Sequence, residues 1–116
     1  MSVTIYHNPR CSKSRQTLTL LEERGIEADV VKYLTTPLSI DTLKVLYAQL
    51  GYASPRDMMR IKEDIYKSLN LGANDVTDQQ LFEAMAENPK LIERPIVVAN
   101  DKAAMGRPPE QVLTIL

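Results

Sequence analysis

The chain has 116 residues, 44% hydrophobic and 25% charged, with 14 Lys and Arg against 15 Asp and Glu. That length suits one domain, expected over residues 1–116, and the balanced charge lacks the basic surplus of a nucleic-acid binder. A single cysteine and a single histidine exclude a disulfide scaffold and a four-ligand zinc site. In chain order, Val3-Thr-Ile-Tyr6 is a β-branched and aromatic run stopped by the turn signal Asn8-Pro9. The spacing predicts a helix from Ser12 to Arg24, with Leu18, Leu21 and Thr17 on its inner stripe and Gly25 as its stop. Ala28 to Val31 is a second strand, which Tyr33-Leu34 continues towards Thr36-Pro37. A strand, helix and strand of this length form a parallel βαβ crossover.

Residues 38–90, approximately, read as a helical insertion. Ser39 opens a helix carrying Leu43, Leu46, Tyr47 and Leu50, closed by Gly51. Ser54-Pro-Arg-Asp57 starts a short helix that carries Met58, Met59 and Arg60. Asp64 to Leu71 is a further helix ending at Gly72, and Thr77-Asp-Gln-Gln80 is a capping box ahead of Leu81 to Ala86. Pro95 to Ala99 then reads as a buried strand, Asn100-Asp101 as a hairpin turn and Lys102 to Met105 as its partner. Pro108-Pro109 starts a last short helix. The expected class is α/β: a small mixed sheet, β-α-β then β-β-α, flanked by helices. The N-terminus lacks a signal-peptide pattern, and no run approaches ~18 apolar residues, so a reduced, cytoplasmic protein without a membrane span is the expectation.

The chemistry concentrates in His7-Asn-Pro-Arg-Cys-Ser-Lys-Ser-Arg15. The first acidic residue is Glu22, so Arg10, Lys13 and Arg15 surround Cys11 without a carboxylate. Cys11 falls between a strand and the start of a helix, where free N–H groups and the helix dipole favour an anion, thiolate or oxyanion. A lone cysteine can equally be a small buried hydrophobe; the local cations point instead to a reactive thiol. His7 can donate to the sulfur or simply be a hydrogen-bonded strand-end residue. Ser12 and Ser14 read as helix caps. A Cys-x5-Arg phosphate loop needs arginine where Thr17 stands, and no P-loop is present. Arg60, Arg94 and Arg107 are each either solvated or an anion ligand, since the guanidinium fork matches a tetrahedral oxyanion.

Taken together, these segments resemble the ArsC family, the glutaredoxin-coupled arsenate reductases of thioredoxin-like fold. The likeness runs through Thr4 to Arg15 with its His-x3-Cys-x3-Arg core, Tyr33 to Pro37, Met58 to Arg60, Arg94 to Val98 and Gly106 to Pro108. The resemblance implies that Cys11 is the nucleophile, that His7 tunes it and that Arg15 supports the anion loop. It also implies that Arg60, Arg94 and Arg107 bind the oxyanion and that Arg94-Pro95 is a cis peptide, with Pro95 and Ser14 structural. Arsenate would be the substrate, glutathione a co-substrate and glutaredoxin the partner, with no bound cofactor or metal. Two other readings share the fold: a glutathione-dependent thiol reductase with no oxyanion substrate, and a Spx-type regulator that binds RNA polymerase. The regulator's Cys-x-x-Cys switch is interrupted here by Ser14, and retention of the three arginines favours an anion substrate.

Overall fold

The structure, a computed structural model, describes residues 2–116. The chain divides into two compact units, Met1–Thr36 with Arg94–Leu116, and Pro37–Glu93. In the first unit the strands are β1 (Val3–Tyr6), β2 (Asp29–Val31), β3 (Ile96–Ala99) and β4 (Lys102–Met105), with helix α1 (Ser12–Glu23) and a C-terminal 3-10 helix (Pro109–Ile115). Among the described residues these strands form one mixed sheet in the order β2-β1-β3-β4, as expected for the class. β1 runs parallel to β2 and antiparallel to β3, with Ile5 opposite both Val30 and Val97.

Alternation along β1 sends Val3 and Ile5 into the core, where Leu21, Val97, Ala99, Ala104 and Val112 meet them. Leu21 comes from α1 and Val112 from the 3-10 helix, so both helices cover one face of the sheet. The inner stripe of α1 is Ser14, Thr17 and Leu21, spaced to fall on one helical face. Leu18 is only half-buried. Asn100 and Asp101, at φ 54° and 60°, form the two-residue turn of the β3–β4 hairpin, the left-handed pair that matches strand twist. The Arg94–Pro95 peptide is cis, and so is Arg107–Pro108, a second cis bond that the sequence reading leaves out.

In the second unit, α2 (Ile40–Leu50) is capped by Ser39, whose hydroxyl accepts the Thr42 N–H, and closes at Gly51 with φ 72°. It packs on α4 (Asp78–Glu87), with the Tyr47 and Phe82 rings edge to face at 5.6 Å. A 3-10 turn (Pro55–Met58), a short α3 (Asp64–Ser68) and a 3-10 turn (Pro89–Leu91) complete it.

Three sequence expectations are corrected. Tyr33-Leu34 does not extend β2: the ladder ends with the His7 N–H on the Val31 carbonyl, because Asn8-Pro9 takes the partner strand away. The chain turns there, and the Lys32 carbonyl accepts from Thr35 and Thr36 while Tyr33 is buried. Met59 and Arg60 do not lie on a helix. Met59 is extended and bridges Ile92, the Glu93 N–H donates to Met58 and the Arg60 N–H to Leu91, so a non-local pairing overrides local helical preference. The helix begun at Asp64 stops at Ser68 rather than running to Leu71. Asn70 takes the left-handed turn at φ 54°, Leu71 turns inward, and the Arg56 guanidinium donates to the Leu71 and Ala73 carbonyls.

Candidate active site

The handover from β1 to α1 places Cys11. Its N–H donates to the Asn8 carbonyl at 3.0 Å and its carbonyl accepts the Arg15 N–H at 3.0 Å, so the turn after the strand leads directly into the helix. Cys11 is itself the N-cap, with extended backbone at φ −94°, and no side chain caps the helix. The expectation that Ser12 or Ser14 caps it is corrected: Ser12 is the first helical residue, and Ser14 points inward, fully buried.

Ser14 instead closes a buried hydrogen-bond chain. Its Oγ accepts the Asn8 N–H at 3.0 Å and lies 2.7 Å from His7 Nδ1. Burial, followed by the charges of Lys32 and Arg15, pushes the His7 pKa below its ordinary value. The Ser14 oxygen accepts from Asn8 while its hydroxyl meets Nδ1; a neutral ring with Nδ1 bare is the tautomer assigned when that hydroxyl donates to it. His7 therefore orders the loop through Ser14 and Asn8. Arg15 braces the same loop from outside, donating from Nη1 to the Pro9 carbonyl at 2.9 Å.

The side chain that meets the sulfur is Arg107. Its Nη2 lies 3.6 Å from Cys11 Sγ, across 96 positions of sequence, and its Nε donates to the Arg94 carbonyl at 2.8 Å. The anchored Nε fixes the plane of the guanidinium, leaving the Nη edge turned to the sulfur of Cys11, a residue that is 8% exposed. A thiol with a fixed guanidinium beside it is an arrangement suited to a tetrahedral oxyanion, whose charge a guanidinium fork matches with paired donors.

Of the residues singled out from sequence, Cys11, His7, Ser14, Arg15, Arg94, Pro95 and Arg107 belong to the first unit. Arg60 belongs to the second, where its Nε pairs with Glu63 at 3.2 Å. Sequence reasoning passed over Asn8 and Lys32. Asn8 stood only as a turn former, yet its N–H and carbonyl hold Ser14 and Cys11, and its Oδ1 accepts the Arg10 N–H. Lys32 carried no local signal, because only strand pairing brings it near His7.

The ArsC family pattern matches residues 6–115. An arsenate reductase of Neisseria meningitidis serogroup A is 54% identical over 114 residues, 98% of this chain and 97% of that one. The uncharacterized protein YfgD of Escherichia coli K12 is 60% identical over 114 residues, 98% of this chain and 96% of that one. A solved structure of an arsenate reductase from Vibrio cholerae has a TM-score of 0.99 and 64% identity, and the match covers 100% of this chain and 98% of that one. A family match over nearly the whole chain, together with these relatives and the thioredoxin-like sheet, shows that the chain belongs to the ArsC family.

Proposed function

We propose that the protein reduces arsenate to arsenite, with Cys11 as nucleophile and with glutathione and glutaredoxin supplying the electrons. The observation that carries the reading is the Arg107 guanidinium fixed beside the Cys11 sulfur at the uncapped start of α1. The relatives named arsenate reductases point to arsenic as the centre attacked. In the proposed reaction the thiolate attacks arsenic, an S–As bond forms, and one As–O bond breaks, its oxygen leaving as water. Arginine offsets the repulsion between the two anions and holds the substrate in place for attack. Arsenic then passes from +5 to +3 by taking two electrons from two external thiols, which end joined as a disulfide, and Cys11 is released as thiolate. The external thiols are needed because the chain holds no second cysteine.

Arg94 and Arg107 are the proposed oxyanion ligands, to which the family resemblance adds Arg60. His7 and Arg15 are proposed to act through the loop, with Ser14 and Pro95 structural. The test is arsenate-dependent NADPH consumption with glutathione, glutathione reductase and glutaredoxin supplied. Cys11→Ser is expected to abolish it. Alanine at any one of the three arginines should lower kcat/KM on the order of a hundredfold, the scale of losing one oxyanion donor, and lysine should restore only part of it. Absence of arsenate-dependent turnover overturns the reading. Disulfide reduction that persists in all three alanine variants, with no arsenate turnover in the wild type, identifies a thiol reductase instead.

A further inference from the structure

We propose that Gly106 is a positioning residue, whose missing side chain lets Arg107 reach the Cys11 sulfur. Gly106 is buried at the end of β4, and a Cβ built on it would lie 2.5 Å from Thr17 Oγ1 and 2.7 Å from Pro95 Cγ. Real Cβ atoms essentially never come that close, so either α1 or the Pro95 segment would have to move. Its φ lies outside the left-handed region, so the requirement is for space and not for a backbone angle. Neither neighbour yields easily. Thr17 is fully buried with its hydroxyl on the Lys13 carbonyl at 2.8 Å, which fixes its rotamer, and Pro95 is a ring closed on its own backbone.

The consequence reaches the site through two adjoining hydrogen bonds. The Gly106 N–H donates to the Pro95 carbonyl at 2.9 Å, and the next residue's guanidinium Nε donates to the Arg94 carbonyl at 2.8 Å. Strand β4 is thus stitched to the 94–95 segment at the point where Arg107 leaves it, and α1, which carries Cys11 at its start, packs against the same glycine through Thr17. Widening that contact separates the helix from the strand end and withdraws the guanidinium from the sulfur. The inference rests on Arg107 acting at Cys11, as in the proposed function.

Alkylation of Cys11 by iodoacetate and by iodoacetamide tests it without arsenate. Both reagents consume the same thiolate, so its population cancels in the ratio of the two rates, and a guanidinium at the sulfur attracts only the anionic one. The wild-type ratio is expected to exceed that of Arg107→Ala by about fivefold, the scale of one charge at ~4 Å seen through water. Gly106→Ala should fall to the Arg107→Ala value, whereas a general loosening of the fold speeds both reagents alike. The double variant Gly106→Ala/Thr17→Ala loses the Thr17 contact and keeps the Pro95 one, so its ratio should lie between the two; it replaces the single variant if that one fails to fold. A folded Gly106→Ala protein, single or double, with the wild-type ratio overturns the proposal, and so does a wild-type ratio in Arg107→Ala. Loss of arsenate turnover with these ratios as expected overturns the reaction alone.

Discussion

At the scale of single residues, the site depends on one buried hydroxyl. Ser14 serves both the Asn8 N–H and the His7 ring, and each loses a partner in Ser14→Ala. Leaving buried polar groups unmatched costs about 1–3 kcal/mol, so the urea midpoint of Ser14→Ala should drop clearly. Ser12→Ala, on the exposed side of the same turn, should change stability by less than about 0.5 kcal/mol. Equal effects from the two serines would deny Ser14 its role. His7 adds a pH signature. Its pKa is lowered in the folded protein, so as pH falls the unfolded chain takes up the proton first. Stability from this group is therefore complete above the unfolded value near 6.5, and it declines as pH drops through that value towards the lower folded one. Unfolding midpoints measured between about pH 7.5 and 5.5 should show this decline in the wild type and a flatter profile in His7→Asn. Parallel profiles would mean that the ring is not held neutral.

At the scale of elements, the chain caps its helices differently according to what their ends do. α4 starts in a closed box, the Thr77 hydroxyl accepting the Gln80 N–H at 3.2 Å and the Gln80 amide oxygen accepting the Thr77 N–H at 2.8 Å. α1 starts uncapped at the cysteine. The position of both starts was legible in sequence, the first from its reciprocal pair and the second from the turn before it, because each signal is local, although a serine cap was expected at the second. So was the β3–β4 hairpin, where Asn100-Asp101 stands between two strands of equal length. That turn yields a prediction. Asp101 sits at φ 60°, a conformation glycine adopts without a Cβ penalty, while the Asn100 amide is tied to the Ile115 carbonyl at 2.8 Å and should stay. Asp101→Gly is expected to stabilise the protein by up to about 1 kcal/mol, read as a higher urea midpoint with an unchanged m-value. A lower midpoint would show that the aspartate has a favourable contact outweighing its backbone cost. What sequence could not supply were features set by distant partners: the Met59–Ile92 bridge, the Ser14–His7 pair, the approach of Thr17 and Pro95 to Gly106, and the choice of Arg107 as the group against the sulfur. Each joins residues whose neighbours in sequence carry no trace of the other.

At the scale of the whole molecule, the count of thiols decides what the proposed reaction can do alone. Reduction of arsenate takes two electrons, and Cys11, the only cysteine, cannot give them and return to its starting state. Ser14 stands three residues on, where a Cys-x-x-Cys pair would place a resolving thiol, and its hydroxyl is committed to Asn8 and His7. An adduct formed on Cys11 therefore waits for an attacking thiolate from solution. In the proposed reaction glutathione is small enough to approach Cys11, a residue only 8% exposed, and the first exchange needs no partner protein. Completing the cycle requires a thiolate of suitable pKa able to reach that enclosed centre, which a glutaredoxin offers. With arsenate and glutathione alone, the intact mass of the protein should show an adduct on Cys11 that persists, and the adduct should disappear when glutaredoxin is added. Cys11→Ser should show no adduct under either condition. Repeated turnover with thioredoxin as the sole thiol source would give the second thiol a different source and remove glutathione and glutaredoxin from the mechanism.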